Sequence, residues 1–129
     1  MVRNANFEDM AIASEIMITS FRNSFSSFIS QETMDRCTNP ENCQKMLEGI
    51  FQEGKMHFLM SGNQGFLCWQ ETEDGVEIVA IHTRPESWGS GLGHELLTHA
   101  LAQIGNWPVY LWAFKENTRA RRFYEKHGL

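Results

Sequence analysis

The sequence has no apolar run longer than six residues, far short of the roughly 18 that a membrane-spanning helix needs. No secretory leader is expected: Met1 to Met10 turns acidic where a signal peptide would turn apolar, and no transit-peptide pattern is present. Cysteine is scarce. Cys37, Cys43 and Cys68 are an odd number without Cys-x-x-Cys spacing or a nearby His partner set. They read as reduced thiols of a cytoplasmic protein, with no metal expected. A basic excess is missing as well: 11 Lys and Arg stand against 16 Asp and Glu, net −5. Such a chain is a poor non-specific nucleic-acid binder, because phosphate contacts need a basic face. Internal repeats and low-complexity tracts are absent. What is present is 129 residues, 42% hydrophobic and 12% aromatic, enough for a buried core in a single domain spanning 1–129.

The charge is unevenly spread. Residues 1–77 carry 12 acidic and 5 basic side chains, whereas residues 78–129 carry 4 and 6. This asymmetry suits an anionic ligand on the C-terminal half and a cationic one near the N-terminal half, although a solvated surface produces the same numbers.

Asn6 and Asp9 form a capping-box pattern, and Ala13, Ile16, Met17 and Phe21 follow at helical spacing, predicting a helix over about 7–22. The polar-aromatic stretch Ser24 to Ser30 reads as irregular. A short helix over Gln31 to Cys37 and another from Pro40 to Gly54 come next. The pattern then changes to short apolar runs bounded by turns: strands over Met56–Met60, Phe66–Gln70 and Val76–Thr83, arranged as an antiparallel meander. In the third, Ile78 to Ile81 is continuously apolar, as in a strand covered on both faces. Leu92, Leu96, Leu97, Ala100, Leu101 and Ile104 form one helical stripe, ended by Gly105. Val109–Phe114 reads as a fourth strand, and Asn117 as the cap of a last helix presenting Ala120, Phe123, Tyr124 and His127.

Between the third strand and the Leu-rich helix lie Trp88-Gly-Ser-Gly-Leu-Gly93. Three glycines in five positions let backbone N–H groups approach a ligand, and the helix N-terminus adds positive potential; the combination suits a pyrophosphate. A tight turn holding nothing has the same composition. A Walker loop is excluded because no Gly-Lys-Ser/Thr follows, and the spacing is not that of a Rossmann turn.

Glu77-Ile-Val-Ala-Ile-His-Thr-Arg-Pro85, then Trp88 to Gly93 and His94-Glu-Leu-Leu, then Asn117-Thr-Arg-Ala-Arg-Arg-Phe-Tyr-Glu-Lys-His-Gly-Leu129 resemble the GNAT family of acetyl-CoA-dependent N-acetyltransferases. The loop matches that family's Q/R-x-x-G-x-G/A motif with Trp88 in place of Gln or Arg. The closing segment matches N-x-x-A-x-x-F-Y-E-K-x-G-F, with Leu129 for the usual Phe. The resemblance implies an α/β acyl-CoA N-acyltransferase fold, a mixed and mostly antiparallel sheet flanked by helices. Two further strands usual in the family would follow Leu129, and their absence would leave the strand carrying Tyr110, Trp112 and Phe114 uncovered. A homodimer through that strand is one consequence; a shortened or degenerate member is another.

The same resemblance implies acetyl-CoA as cosubstrate. Its pantetheine arm would pair with the backbone of Ile81, His82 and Thr83, and its pyrophosphate would sit on Trp88, Gly89, Ser90, Gly91, Leu92, Gly93 and His94. Asn117 would touch pantetheine, or serve only as a cap. Tyr124, seven residues on and about 10 Å further along the helix, would protonate the leaving thiolate. The acceptor would be a primary amine on a small molecule or peptide. An alkylamine of pKa about 10 costs about 4 kcal/mol to deprotonate at pH 7, so a base is useful. Family members that acetylate N-terminal alanine carry a Glu where this chain has Trp112, so Glu77, acting directly or through a water, is the substitute candidate. His82 is expected to be a packed side chain. Arg119, Arg121 and Arg122 would meet coenzyme A phosphates or simply face solvent. A non-catalytic acyl-CoA-binding module is the alternative function.

Overall fold

The computed structural model describes residues 1–27, 29–113 and 117–129. Its elements follow the order β1 (Val2–Asn4), α1 (Asp9–Phe25), α2 (Gln31–Cys37), α3 (Pro40–Glu53), β2 (Met56–Ser61), β3 (Gly65–Thr72), β4 (Gly75–Thr83), α4 (Leu92–Ile104), β5 (Val109–Leu111) and α5 (Thr118–Lys126), with a 3₁₀ turn at Pro85–Ser87. One sheet runs β1-β2-β3-β4-β5. Its first three pairings are antiparallel and the last, β4 with β5, is parallel. α4 is the crossover between those two, as a parallel pair requires.

The sheet separates two apolar layers. On one face Leu59, Leu67, Trp69, Val76 and Ile78 pack with Leu96, Leu97, Ala100 and Ile104 of α4. On the other, Phe58, Met60, Phe66 and Cys68 pack with Met10, Ala13 and Ile16 of α1 and Leu47 of α3. These are the stripes read from the sequence. Cys68 lies in that second layer, where burial pushes its thiol up to about 12, so it is an inert core thiol.

α1 begins at Asp9 rather than near residue 7, and it continues to Phe25 rather than stopping at about 22. The capping box is nonetheless formed: Asp9 N–H donates to Asn6 Oδ1 at 3.1 Å, and Asn6 N–H donates to Asp9 Oδ2 at 2.8 Å. Arg3 adds a two-pronged contact to the same carboxylate, 2.7 and 2.8 Å. That contact ties β1 to the helix start, and the Arg3 hydrogen bonds hold the Asp9 carboxyl below the usual range. The sequence reading has no β1. Three residues with one apolar side chain carry no period, and only pairing with Ser61, Met60 and Leu59 makes them a strand.

β4 departs from regular pairing at one point. Cys68 faces Ala80 and Trp69 faces Ile78, so Val79 is an extra residue, a β-bulge. Val76 and Ile78 belong to the α4 layer and so does Ile81, three residues on, while Ala80 packs against the α1 layer. The bulge also coincides with the end of the parallel ladder, which pairs Val76, Glu77 and Ile78 with Val109, Tyr110 and Leu111 and goes no further. β5 therefore stops at Leu111, short of the expected Val109–Phe114 strand; Phe114 lies outside the described residues. A bulge bends its strand and increases the local twist, which draws β4 away from its neighbour and leaves a cleft.

Candidate active site

The cleft holds a cavity of about 420 Å³ between β4, the chain after β5, α1 and α5. From β4 come Val79, Ala80, Ile81 and His82; from α1 come Ser20, Phe21, Ser24 and Phe25. Trp112 and Ala113 form the opposite side, and α5 contributes Asn117, Arg119, Ala120 and Tyr124. Among the described residues, β4 has no ladder partner on the β5 side beyond Ile78. Its peptide groups there are open to a ligand that presents amides at strand spacing.

Asn117 and Tyr124 do share one face of α5, at the cavity. Asn117 caps the helix, its Oδ1 accepting from Ala120 N–H at 3.2 Å, and it lines the cavity as well. Tyr124 is half-buried, its ring edge-on to Phe123 at 5.5 Å. Burial raises its phenol pKa, with the Arg119 charge acting in the opposite direction, so the hydroxyl is a protonated donor at neutral pH.

His82 is a packed side chain, as expected. Its Nδ1 lies 3.1 Å from Ser20 Oγ, its ring contacts Phe66 at 5.5 Å, and burial pushes its pKa down to about 4. At pH 7 it is a neutral part of the cavity floor. Thr83, the last β4 residue, uses its carbonyl to accept from Trp88 Nε1 at 3.2 Å.

The glycine-rich loop closes the site on the α4 side. Gly91 takes φ +89 immediately before the helix, a left-handed turn that lets Leu92 start α4 while the preceding peptides bend outward. Gly89 and Ser90 are exposed, and Ser90 N–H donates to Ser87 O at 3.1 Å. Leu92 packs on the α4 layer. Gly93 faces Phe123, whose Cζ would be 3.3 Å from an added Cβ, so the small residue brings α4 close to α5. His94 Nδ1 and His127 Nε2 are 2.7 Å apart. His127 Nδ1 donates to Phe123 O at 2.8 Å; a carbonyl only accepts, so in the neutral pair His94 Nδ1 is the other donor. Among the described residues no group of three or more His, Cys, Asp or Glu is placed to hold a metal. None of their helices is long and apolar enough to cross a membrane.

Glu77 is not brought to the cavity. It stands on β4 before the bulge, and its carboxylate accepts from Gln70 Nε2 at 3.0 Å. Sequence reasoning missed the α1 wall. Ser24 and Phe25 lie three and four residues after Phe21, a signal that α1 continued past 22. It also missed the contact of Arg119 with Trp88, which no spacing rule predicts, because 31 positions separate them.

A cleft between parallel strands, opened by a bulge and bounded by a glycine loop at a helix start, is matched by sequence evidence over most of the chain: the model of the acetyltransferase (GNAT) family covers residues 16–129. The chain belongs to the GNAT family. Solved structures agree at the level of fold. The PaiA N-acetyltransferase of Thermoplasma acidophilum, in complex with coenzyme A, superposes with TM-score 0.80 at 18% identity, covering 98% of this GNAT chain and 87% of its own. A histone acetyltransferase HPA2-related protein of Corynebacterium glutamicum gives 0.73 at 18% identity, covering 99% and 83%. A GCN5-related N-acetyltransferase from Rhodopseudomonas palustris gives 0.77 at 18%, covering 98% and 79%. No curated protein sequence matches this GNAT chain.

Proposed function

We propose that the protein transfers the acetyl group of acetyl-CoA to a primary amine by direct attack, with Tyr124 as general acid. The observation that carries this reading is the placement of the Tyr124 side chain in the cleft that opens where β4 and β5 part. In the reading, pantetheine lies along the open edge of β4 at Ile81, His82 and Thr83, with Asn117 across from it. The pyrophosphate rests on the loop from Trp88 to His94, at the start of α4. The amine nitrogen attacks the thioester carbonyl and a C–N bond forms. As the tetrahedral intermediate collapses, the C–S bond breaks and Tyr124 gives its proton to the departing sulfur. The ammonium proton leaves to solvent, and the phenol is reprotonated from solvent. Glu77, held by Gln70 outside the cavity lining, takes part in this scheme only through a water. That placement also favours a second reading, an acyl-CoA-binding module without turnover.

Thermal unfolding with acetyl-CoA, coenzyme A and NAD in parallel tests the cosubstrate. At 100 times its Kd, a ligand adds about 2.7 kcal/mol, a rise in Tm of roughly 5–10 °C for a chain this size. The expected result is a rise with both coenzyme A forms and none with NAD; no rise with either form sinks the proposal. Thiol release with a panel of amines then separates the enzyme from the binding module.

We further infer that a second copy of the chain covers the β5 face. Trp112 is 81% exposed, and a groove of about 500 Å³ runs along Tyr110, Leu111 and Leu129, an open strand edge of the kind that pairs. Sedimentation should show a dimer that Trp112→Arg converts to monomer; a monomer at all concentrations refutes the pairing.

A further inference from the structure

The arginines and lysines of the first half of the chain are mostly engaged with carboxylates: Arg3 with Asp9, Arg22 with Asp35, Lys45 with Glu41. Arg119 differs. Among the described residues no carboxylate pairs with it. Its guanidinium carbon lies 3.7 Å from the centre of the Trp88 ring, and one Nη reaches Ser24 Oγ at 3.4 Å. Trp88 is itself fixed, its indole N–H donating to the Thr83 carbonyl at 3.2 Å. A cation is thus held over an aromatic face, with Ser24 as its second contact, at the rim where the cavity meets the glycine loop. Partial burial lowers the Arg119 pKa, with Tyr124 acting the other way, and the side chain is still exposed at the rim, where an anion can reach its charge. The guanidinium carries five N–H donors, one of its Nη groups turns to Ser24, and the residue is exposed, so donors remain for an anion.

We propose that Arg119, held by Trp88, is an anion clamp for the pyrophosphate of an acyl-CoA. The inference rests on the reading that pantetheine enters this cavity and the phosphates pass the loop. Trp88 then serves as the platform for the cation rather than as a phosphate ligand. The loop position that carries Gln or Arg in the resembling motif gains its positive charge from α5 instead. The loop N–H groups grip the pyrophosphate from the α4 side and Arg119 from the α5 side.

The test is a binding titration of the full chain with coenzyme A, dephospho-coenzyme A and S-acetylpantetheine, which carry respectively both phosphate sites, the pyrophosphate only, and neither. Arg119→Gln should weaken coenzyme A and dephospho-coenzyme A alike by about 10- to 100-fold, the range of a charge-assisted hydrogen bond, and leave S-acetylpantetheine within about twofold. Arg119→Lys, a cation without the planar fork, should fall between. Trp88→Leu should cost about 3- to 10-fold on the two phosphate-bearing ligands and add little in the Arg119→Gln background, while Trp88→Phe keeps most of the affinity. Equal loss on all three ligands, loss confined to coenzyme A, or no loss each overturns the clamp. If wild-type protein binds neither coenzyme A form, the underlying functional reading fails first and the clamp with it.

Discussion

Tyr124→Phe is expected to lower kcat for amine acetylation by about 10²–10⁴-fold, the usual span for a positioned general acid, and to leave the acetyl-CoA-induced rise in Tm in place. The substitution removes one oxygen and keeps the ring, so the edge-on contact with Phe123 survives and folding is little changed. The pH profile gives a second readout. Burial raises the phenol pKa more than the Arg119 charge lowers it. The acid form therefore persists past the ordinary tyrosine range, near 10. Activity that depends on Tyr124 as a donor stays high through neutral pH and falls only above that range. The Phe variant should lose this alkaline limb together with its rate. Unchanged kcat in Tyr124→Phe would remove the residue from the mechanism.

Gly75→Ala is expected to destabilise the chain by about 3 kcal/mol or more, since it combines backbone strain with a steric overlap. Gly75 adopts φ +133, and an added Cβ would lie 2.4 Å from the Pro108 carbonyl oxygen. The same oxygen accepts from Val76 N–H at 2.8 Å, the bond that begins the alignment of β4 with β5. The variant must push Pro108 away and so loosen the short parallel ladder. Its Tm should fall by roughly 10 °C or more, and the acetyl-CoA-induced shift should shrink with it. Gly49→Ala provides the contrast. Gly49 lies within α3 with nothing within 4 Å of an added Cβ, so alanine there should stabilise by up to about 1 kcal/mol. Equal melting of the two variants would show that the Pro108 contact does not govern the ladder.

Much of this arrangement could be read from residue order. Asn117, read as a cap, accepts from the helix it precedes, as do Ser30 and Asn39, whose helices were read without their caps, and the α4 stripe points where its period places it. Caps and stripes are local, and local chemistry is visible in a sequence. The shape of the cleft was legible only in part. Ile78 to Ile81 is apolar at every position, so no alternation remained to betray the bulge, and the β5 end could not be found without it. The α1 wall was missed because Ser24 and Ser26 dilute the apolar stripe just where α1 turns toward the cavity. Arg119 on Trp88, and Glu77 held by Gln70, are tertiary outcomes that depend on which side of a strand or helix meets which neighbour.

The bulge also bears on how such a site is kept over evolutionary time. Val79 is a supernumerary residue: Ile78 and Ala80 already sit on the faces they would occupy if it were deleted. A lineage that lost this one codon would keep every core side chain in place and could zip the two parallel strands together over their full length. Selection for a folded chain alone would tolerate that loss, or favour it. Only selection for what occupies the gap would retain such an extra residue, which serves use rather than stability.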